Sequence, residues 1–138
     1  MRLLGIDFGF KRIGVAIGES EVGIVTPRSA IAASGGLKAD AKTIAALARK
    51  EEVKAIVLGL PVEETGNEGR MARICRTLAQ HLTDLGETVH LVDEKYSSIE
   101  AEQVLAEAGL KPSQWKEHKD SEAAGLILER YFNGEATQ

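Results

Sequence analysis

The chain has 138 residues, 43% of them hydrophobic, which suits one domain with a single sizeable core. Its net charge of −4 argues against a protein that coats nucleic acid through bulk positive charge, so any such contact must use local basic patches. Cys75 is the only cysteine, which excludes an intrachain disulfide and suits a packed thiol in a reducing cytoplasm. We therefore expect a single cytoplasmic domain over residues 1–138.

Three strands are predicted at the start of the chain. Residues 2–8 are an apolar run that ends at an acid and a glycine, which is typical of a buried strand opening onto a site. Residues 12–18 alternate in character and predict a second strand in hairpin connection with the first. Residues 22–32 predict a third strand at a sheet edge, because Pro27 cannot donate a backbone hydrogen bond. Charged residues interrupt residues 1–18 too often for a signal peptide or a membrane span, so we expect no membrane association.

Helices and strands alternate through the rest of the chain. Helical spacing, glycine stops and a Ser-x-x-Glu cap predict helices over residues 38–51, 68–85 and 97–108 and from about residue 118, with strands over 53–58 and 88–92. Residues 134–138 are expected to be a frayed tail. Right-handed crossovers give a mixed sheet with helices on both faces, and sites in such sheets form at the carboxyl ends of the strands.

Three acidic positions fall near those strand ends. Asp7 ends the first strand, where a carboxylate needs a cation or hydrogen-bond donors, although a turn-capping aspartate in a glycine-rich hairpin explains the same residues. Asp93 and Glu94 follow the fifth strand, and only one of them should share a site with Asp7, since neighbouring strand residues point to opposite faces. Asp120 lies near the start of the last helix. The three later acids also fit ordinary positions at helix N-termini.

Together the acids could bind the metal ions that catalyse phosphodiester hydrolysis. Two divalent cations about 3.5–4 Å apart can hold both the attacking water and the leaving oxygen, and Mg²⁺ prefers carboxylate oxygens as ligands. Carboxylates from separate elements must then converge on one place. Spacing alone does not choose between this convergence and separate structural roles.

Four ordered segments resemble a known family. They are DFGFKRIGVAIG, VLGLP with the polar loop and arginine-bearing helix behind it, VDEKYSS and KDSEAAGLILERYF. Together they strongly resemble the YqgF family, also called the RuvX or pre-16S rRNA nuclease family, over residues 3–132. The resemblance implies an RNase H-like α/β fold with a mixed five-stranded sheet in the order 3-2-1-4-5, and a relationship to the RuvC Holliday junction resolvases.

The resemblance also implies a catalytic centre. It places the catalytic and metal-binding acids of the family on Asp7, Glu94 and Asp120, which would hold one or two Mg²⁺ or Mn²⁺ ions. The usual arginine after the glutamate is Lys95 in this chain, which keeps the charge but loses the bidentate contact with phosphate. In the implied strand order the strand before Glu94 is not beside the first strand, so Glu94 must reach across the fourth strand.

Six basic residues are candidates for contacting nucleic acid. They are Lys11, Arg12, Arg70, Arg73, Lys95 and Lys119. Arg70 and Arg73 share a helical face that Arg76 extends, where they could contact phosphates. Pairing with acids at positions 64, 68 and 84 is the alternative. The few aromatic residues form no evident stacking platform, although those at positions 10, 96 and 115 could act singly.

These features predict a metal-dependent nuclease, with 5′-end processing of pre-16S rRNA in ribosome biogenesis as the role that the family name implies. Two alternatives stay open: a Holliday junction resolvase acting on branched DNA, and a non-catalytic RNA-binding or assembly module, which the acidic pI favours slightly. An actin-like ATP-binding fold shares the opening hairpin but needs two domains, for which 138 residues are too few. Structured RNA or branched DNA is the expected partner, and the sequence leaves a homodimer open.

Overall fold

The computed structural model describes residues 1–62, 67–94, 97–134 and 136–137, with the backbone alone at 97–100, 114–118 and 136–137. The strands are β1 (Arg2–Phe8), β2 (Arg12–Glu19), β3 (Ile24–Ala32), β4 (Ala55–Leu60), β5 (Val89–Asp93) and β6 (Ala136–Thr137). The helices are α1 (Leu37–Lys50), α2 (Arg70–Asp84), α3 (Ser97–Glu107) and α4 (Trp115–Phe132), and a 3₁₀ turn at Pro112–Gln114 precedes α4. None of these helices, over the residues described, has the length and apolar character to cross a membrane.

The strands form one sheet in the order β3-β2-β1-β4-β5-β6. β2 pairs antiparallel with β1 and β3, whereas β4 pairs parallel with β1 and β5. The predicted order 3-2-1-4-5 is therefore confirmed, and so is the place of Pro27 on an edge strand. Because β1, β4 and β5 run parallel, their carboxyl ends meet at one edge of the sheet.

The end of the chain differs from the prediction. Residues 134–138 were expected to fray, but Ala136–Thr137 forms β6 and pairs antiparallel with β5 at Val92 and Leu91. Without this pairing β5 would leave a row of backbone donors and acceptors unpaired at the sheet edge, and β6 satisfies part of that row. A strand of two residues has no periodicity of its own, so sequence patterns cannot indicate it.

The side chains of β1 point alternately to the two faces of the sheet, and they pack in two separate hydrophobic cores. Leu4, Ile6 and Phe8 pack with α1 and α2 on one face of the sheet. Leu3 packs with apolar residues of α4 on the other face. Asp7 has the same parity as Leu3, so its side chain lies on the α4 face at the carboxyl edge.

Glycines on this face let α4 lie close to the sheet. A Cβ at Gly5 would lie 2.7 Å from both the carbonyl oxygen of Ala124 and the Cγ of Leu128, and one at Gly18 would lie 2.8 Å from the ring of Phe132. At Gly5 the contact is with the helix backbone, so that position requires glycine, whereas at Gly18 the side chains of Phe132 and Leu128 would have to shift. The space over Gly5 is therefore taken by α4.

Candidate active site

Asp7 lies near the end of β1, half-buried, between two glycines on the neighbouring strands. Gly14 of β2 pairs with it directly. Gly59 of β4 comes next in the parallel register that pairs Ile6 with Leu58. Since neither glycine has a side chain, the space on both sides of the Asp7 carboxylate is left for groups from other elements.

Glu94 fills the space over Gly59. Its backbone N–H donates to the carbonyl oxygen of Leu60 at 3.2 Å, and its side chain crosses β4 to hydrogen-bond with Asp7. A Cβ on residue 59 would lie 2.6 Å from Oε2 of Glu94, so glycine is what permits the crossing. Of the two adjacent acids at the end of β5, Glu94 is therefore the one that meets Asp7, by the predicted reach across the fourth strand.

The contact between Asp7 and Glu94 requires a proton. Burial raises the pKa of Asp7, the hydrogen bond from Glu94 lowers it, and the charges of Asp120 and Lys119 act in opposite directions. Burial, followed by the charge of Asp7 and its hydrogen bond, raises the pKa of Glu94 to about 10. In the absence of a cation Glu94 keeps its proton at neutral pH and shares it with Asp7 through the hydrogen bond between them. A nearby positive charge is needed for both carboxyl groups to be ionised at once. The pair is therefore suited to binding a divalent cation.

Cys75 of α2 lies in the core on the other face of the sheet and is fully buried. Burial, with a further effect of the negative charges of Glu94 and Asp7, raises the pKa of its thiol to about 12. The thiol stays protonated and unreactive at physiological pH. The structure thus confirms that Cys75 has a packing role.

Asp120 reaches the site from α4, over Gly14. A Cβ on residue 14 would lie 1.9 Å from the carbonyl oxygen of Asp120, so only glycine lets the helix pass. The Asp120 carboxylate accepts a hydrogen bond from Nε of Arg12 at 3.1 Å, while its charge raises the pKa of Asp7. In the described part of the chain, no three side chains of Asp, Glu, His or Cys form a ready set of metal ligands. Asp7 and Glu94 are a pair, and Asp120 would join them by turning away from Arg12.

Positive charge surrounds the acid pair. Arg12 is bound to Asp120, and Nζ of Lys119 lies 2.7 Å from Oε1 of Glu102 on α3. The charge of Lys119 also lowers the pKa of Asp7, so this lysine lies close to the pair. Lys11 is exposed on the turn between β1 and β2. Two of the predicted nucleic-acid contacts, Arg12 and Lys119, therefore lie beside the acids, and Lys11 lies on the turn that follows β1.

The arginines of α2 divide into two kinds. Arg70 and Arg73 are exposed and form no ion pair within the residues that the structure describes. Arg76 instead donates from Nε and Nη2 to Glu68, at 2.5 and 2.6 Å, so the pairing alternative is correct for Arg76. The sixth predicted contact, Lys95, lies outside the described residues.

Arg130 of α4 was not foreseen as part of the site. Its Nη1 donates to the carbonyl oxygen of Asp93 at 2.8 Å, and its charge lowers the pKa of Glu94. Arg130 thus fixes the end of β5 directly before Glu94. The signal available in the sequence is a basic residue within the last of the four segments, on a helix that otherwise faces the core.

Comparison with known proteins identifies the family of this chain. The family described as "RuvX: Holliday junction resolvase" matches residues 1–134. The chain belongs to the RuvX family. A relative from Methylobacillus flagellatus is 41% identical over 98% of this chain and 92% of its own length, and one from Anaeromyxobacter sp. is 38% identical over 97% and 98%. Both are named "Putative pre-16S rRNA nuclease".

Solved structures share the fold of this RuvX-family chain. RuvC of Thermus thermophilus, in complex with a Holliday junction substrate, matches with a TM-score of 0.54 and 15% identity over 99% of this chain and 98% of RuvC. A ROK family protein from Streptococcus pneumoniae matches with a TM-score of 0.52 and 16% identity, over 80% of this chain and 40% of its own. At these identities the likeness is one of fold, and the match with RuvC confirms the RNase H-like architecture.

Proposed function

We propose that this chain is a metal-dependent nuclease that hydrolyses phosphodiester bonds, and that its substrate is pre-16S rRNA in the cytoplasm. The observation that carries the proposal is the Asp7–Glu94 pair at the carboxyl edge of the sheet, which needs one more positive charge and has Asp120 beside it. The names of relatives at 41% and 38% identity support the RNA substrate.

Asp7, Glu94 and Asp120 would hold one or two Mg²⁺ or Mn²⁺ ions. When bound, the ions supply an activated water and stabilise negative charge on the scissile phosphate. Glu94 must release the proton that it shares with Asp7 before both carboxylates can act as ligands. Asp120 must give up its hydrogen bond with the guanidinium of Arg12 before its carboxylate can act as a ligand.

Basic residues would hold the substrate strand in this scheme. Arg12, once released by Asp120, can turn its guanidinium to a phosphate, and Lys11 and Lys119 would add positive charge. Arg130 keeps the backbone before Glu94 in place through its contact with Asp93. It acts as a positioning residue and not as a ligand.

The test is a cleavage assay with Mn²⁺ or Mg²⁺ on three substrates: an RNA with the 5′ leader of 16S rRNA, single-stranded DNA and a four-way DNA junction. Asp7→Asn replaces a carboxylate ligand by an amide and should abolish cleavage without unfolding the protein. Asp84→Asn makes the same chemical change at an exposed position of α2, where the side chain accepts from Gln80, and should cleave normally. Cleavage by Asp7→Asn at the wild-type rate would contradict the proposed site.

Resolution of Holliday junctions is the second candidate, and the description of the RuvX family supports it. A resolvase needs two active sites related by symmetry, so this function requires a dimer. Cleavage of the four-way junction but not of the RNA would favour it. Binding without cleavage of any of the three substrates would indicate the non-catalytic module instead.

A further inference from the structure

Phe10 is an exposed aromatic ring fixed at the catalytic edge of the sheet. It lies on the turn after β1, three residues beyond Asp7, and it is 61% exposed. Its ring packs edge to face against Phe8, with the ring centroids 6.2 Å apart and the planes at 78°. Phe8 is 6% exposed, so it anchors Phe10 to the core while most of the Phe10 ring stays open to solvent.

A slot of about 110 Å³ opens beside this ring, between the turn and the starts of α1 and α2. The residues that line it are Phe8, Phe10, Gly35, Gly36, Leu37, Asp40 and Ile74. The N–H of Ala33 donates to the carbonyl oxygen of Lys11 at 3.0 Å, which holds the two sides of the slot together. An aromatic wall, aliphatic neighbours and glycines without side chains make a slot that suits a flat ring.

Asp40 decides which part of a nucleotide the slot suits. Its carboxylate is buried, 3% exposed, and Oδ1 accepts a hydrogen bond from the N–H of Ser34 at 2.8 Å. A carboxylate at this place repels a phosphate, but it can accept a hydrogen bond from the exocyclic amino group of a base. The slot therefore suits a base, with the phosphates outside it.

Basic residues lie outside the slot, where those phosphates would be. Lys11 follows Phe10 directly and is exposed. Arg70 precedes Ile74 by four residues on α2, so both lie on the same side of the helix, and Arg70 is exposed as well. A slot with an aromatic wall for a base and basic residues close by is a common arrangement for binding a single strand.

We infer that a nucleobase of the RNA strand, close to the scissile phosphate, stacks on Phe10 in this slot. Asp7 faces the α4 side of the sheet, whereas the slot lies on the side of α1 and α2. A strand that crosses the carboxyl edge would present a phosphate to Asp7 and a base to Phe10. The role in catalysis rests on the proposed nuclease function, but binding of the base can be measured without cleavage.

The test measures binding of a fluorescent oligoadenylate RNA of about 12 nucleotides, in EDTA so that no metal-dependent cleavage occurs. Loss of one stacked base predicts that Phe10→Ala binds about 5- to 150-fold more weakly. Phe10→Tyr keeps the ring and should bind like the wild type. Val22→Ala is the matched control, because Val22 is 66% exposed on the distant turn between β2 and β3.

Binding of an abasic RNA strand distinguishes the loss of stacking in Phe10→Ala from a structural effect of the substitution. The abasic strand should bind equally to wild type and Phe10→Ala, because no base is left to stack. Equal binding of oligoadenylate by these two proteins, absence of RNA binding by the wild type, or an equal loss with both strands would each overturn the slot. If Phe10→Ala weakens binding of oligoadenylate but the wild type cleaves none of the substrates, the slot is supported and the nuclease proposal is refuted. If the wild type cleaves but Phe10→Ala binds oligoadenylate as the wild type does, the nuclease proposal is supported and the slot is refuted.

Discussion

The buried carboxyl group of Glu94 lowers the free energy of unfolding of the metal-free protein. The side chain is half-buried against Asp7, and it stays in place by keeping a proton that a free glutamate would lose. In the unfolded chain its pKa is near the ordinary value of 4.5, whereas in the folded protein it is about 10. Between these two values the folded state binds more protons than the unfolded state, so this residue makes stability fall as pH rises.

Glu94→Gln should therefore stabilise the protein in EDTA, and by more at higher pH. The glutamine amide donates to Asp7 as the protonated carboxyl does, but it has no proton to lose. Near pH 5 the two proteins should unfold at similar temperatures. By pH 8 the variant should gain at least about 1 kcal/mol, or roughly 3–4 °C for a chain of this size. Thermal unfolding from pH 5 to pH 9 measures the difference.

The control for this series is Glu107→Gln, at the exposed end of α3. Its unfolding temperature should follow that of the wild type at every pH. Added Mn²⁺ should raise the unfolding temperature of the wild type and of Glu107→Gln, but much less that of Glu94→Gln, which has lost a carboxylate ligand. A stability difference for Glu94→Gln that does not change with pH would contradict the shared proton.

At the scale of elements, the site depends on how α4 and the end of β5 come together over β1. Gly14 and Gly59 lie on either side of Asp7, and each leaves room for one of the other two acids. The groups that fill this room differ in kind. The backbone of α4 lies over Gly14, whereas the ends of two side chains, Glu94 and Ile127, lie over Gly59.

This difference predicts unequal effects of two alanine substitutions. In Gly14→Ala the new Cβ meets the backbone of α4 at 1.9 Å, so the helix must move, and we expect a loss of about 3 kcal/mol or more. In Gly59→Ala, Glu94 and Ile127 can rotate away, so the loss should be about 1–2 kcal/mol while cleavage is abolished. Urea unfolding and the cleavage assay measure the two effects.

Gly36→Ala is the matched control for the unfolding measurements, because a Cβ there would meet nothing closer than Oγ of Ser34 at 4.0 Å. It should change stability by less than about 1 kcal/mol. It is not a control for cleavage, since Gly36 lines the slot beside Phe10. If Gly59→Ala cleaved at the wild-type rate, the crossing of Glu94 over β4 would be unnecessary for catalysis.

Local sequence patterns predict the elements and their order, since periodicities and caps act over a few residues. The segments of the family resemblance predict Asp7, Glu94 and Asp120 as site residues. The patterns do not show the contact of Arg130 with Asp93, the ion pair of Arg12 with Asp120, or the pairing of β6. Each of these joins residues far apart in the chain, and none of them leaves a repeating pattern in the sequence.

At the scale of the whole molecule, the chain is acidic overall, but basic residues gather around the carboxyl edge. Arg12 and Lys119 lie beside the acids, Lys11 is exposed on the turn after β1, and Arg70 and Arg73 are exposed at the start of α2. Since the net charge is −4, we expect binding of nucleic acid to come from these few contacts and not from a diffuse positive field.

The salt dependence of binding tests that expectation. For single strands each phosphate contact adds about 0.7 to the slope of log K against log salt. Replacing Arg70 and Arg73 together by glutamine should therefore reduce the slope by about 1.4. Arg76→Gln removes a charge from the same helix, but Glu68 already binds that arginine, so the slope should hardly change. If Arg76→Gln lowered the slope by about 0.7, the arginines would act through their summed electrostatic field. The ion pair with Glu68 would then not prevent Arg76 from contributing to RNA binding.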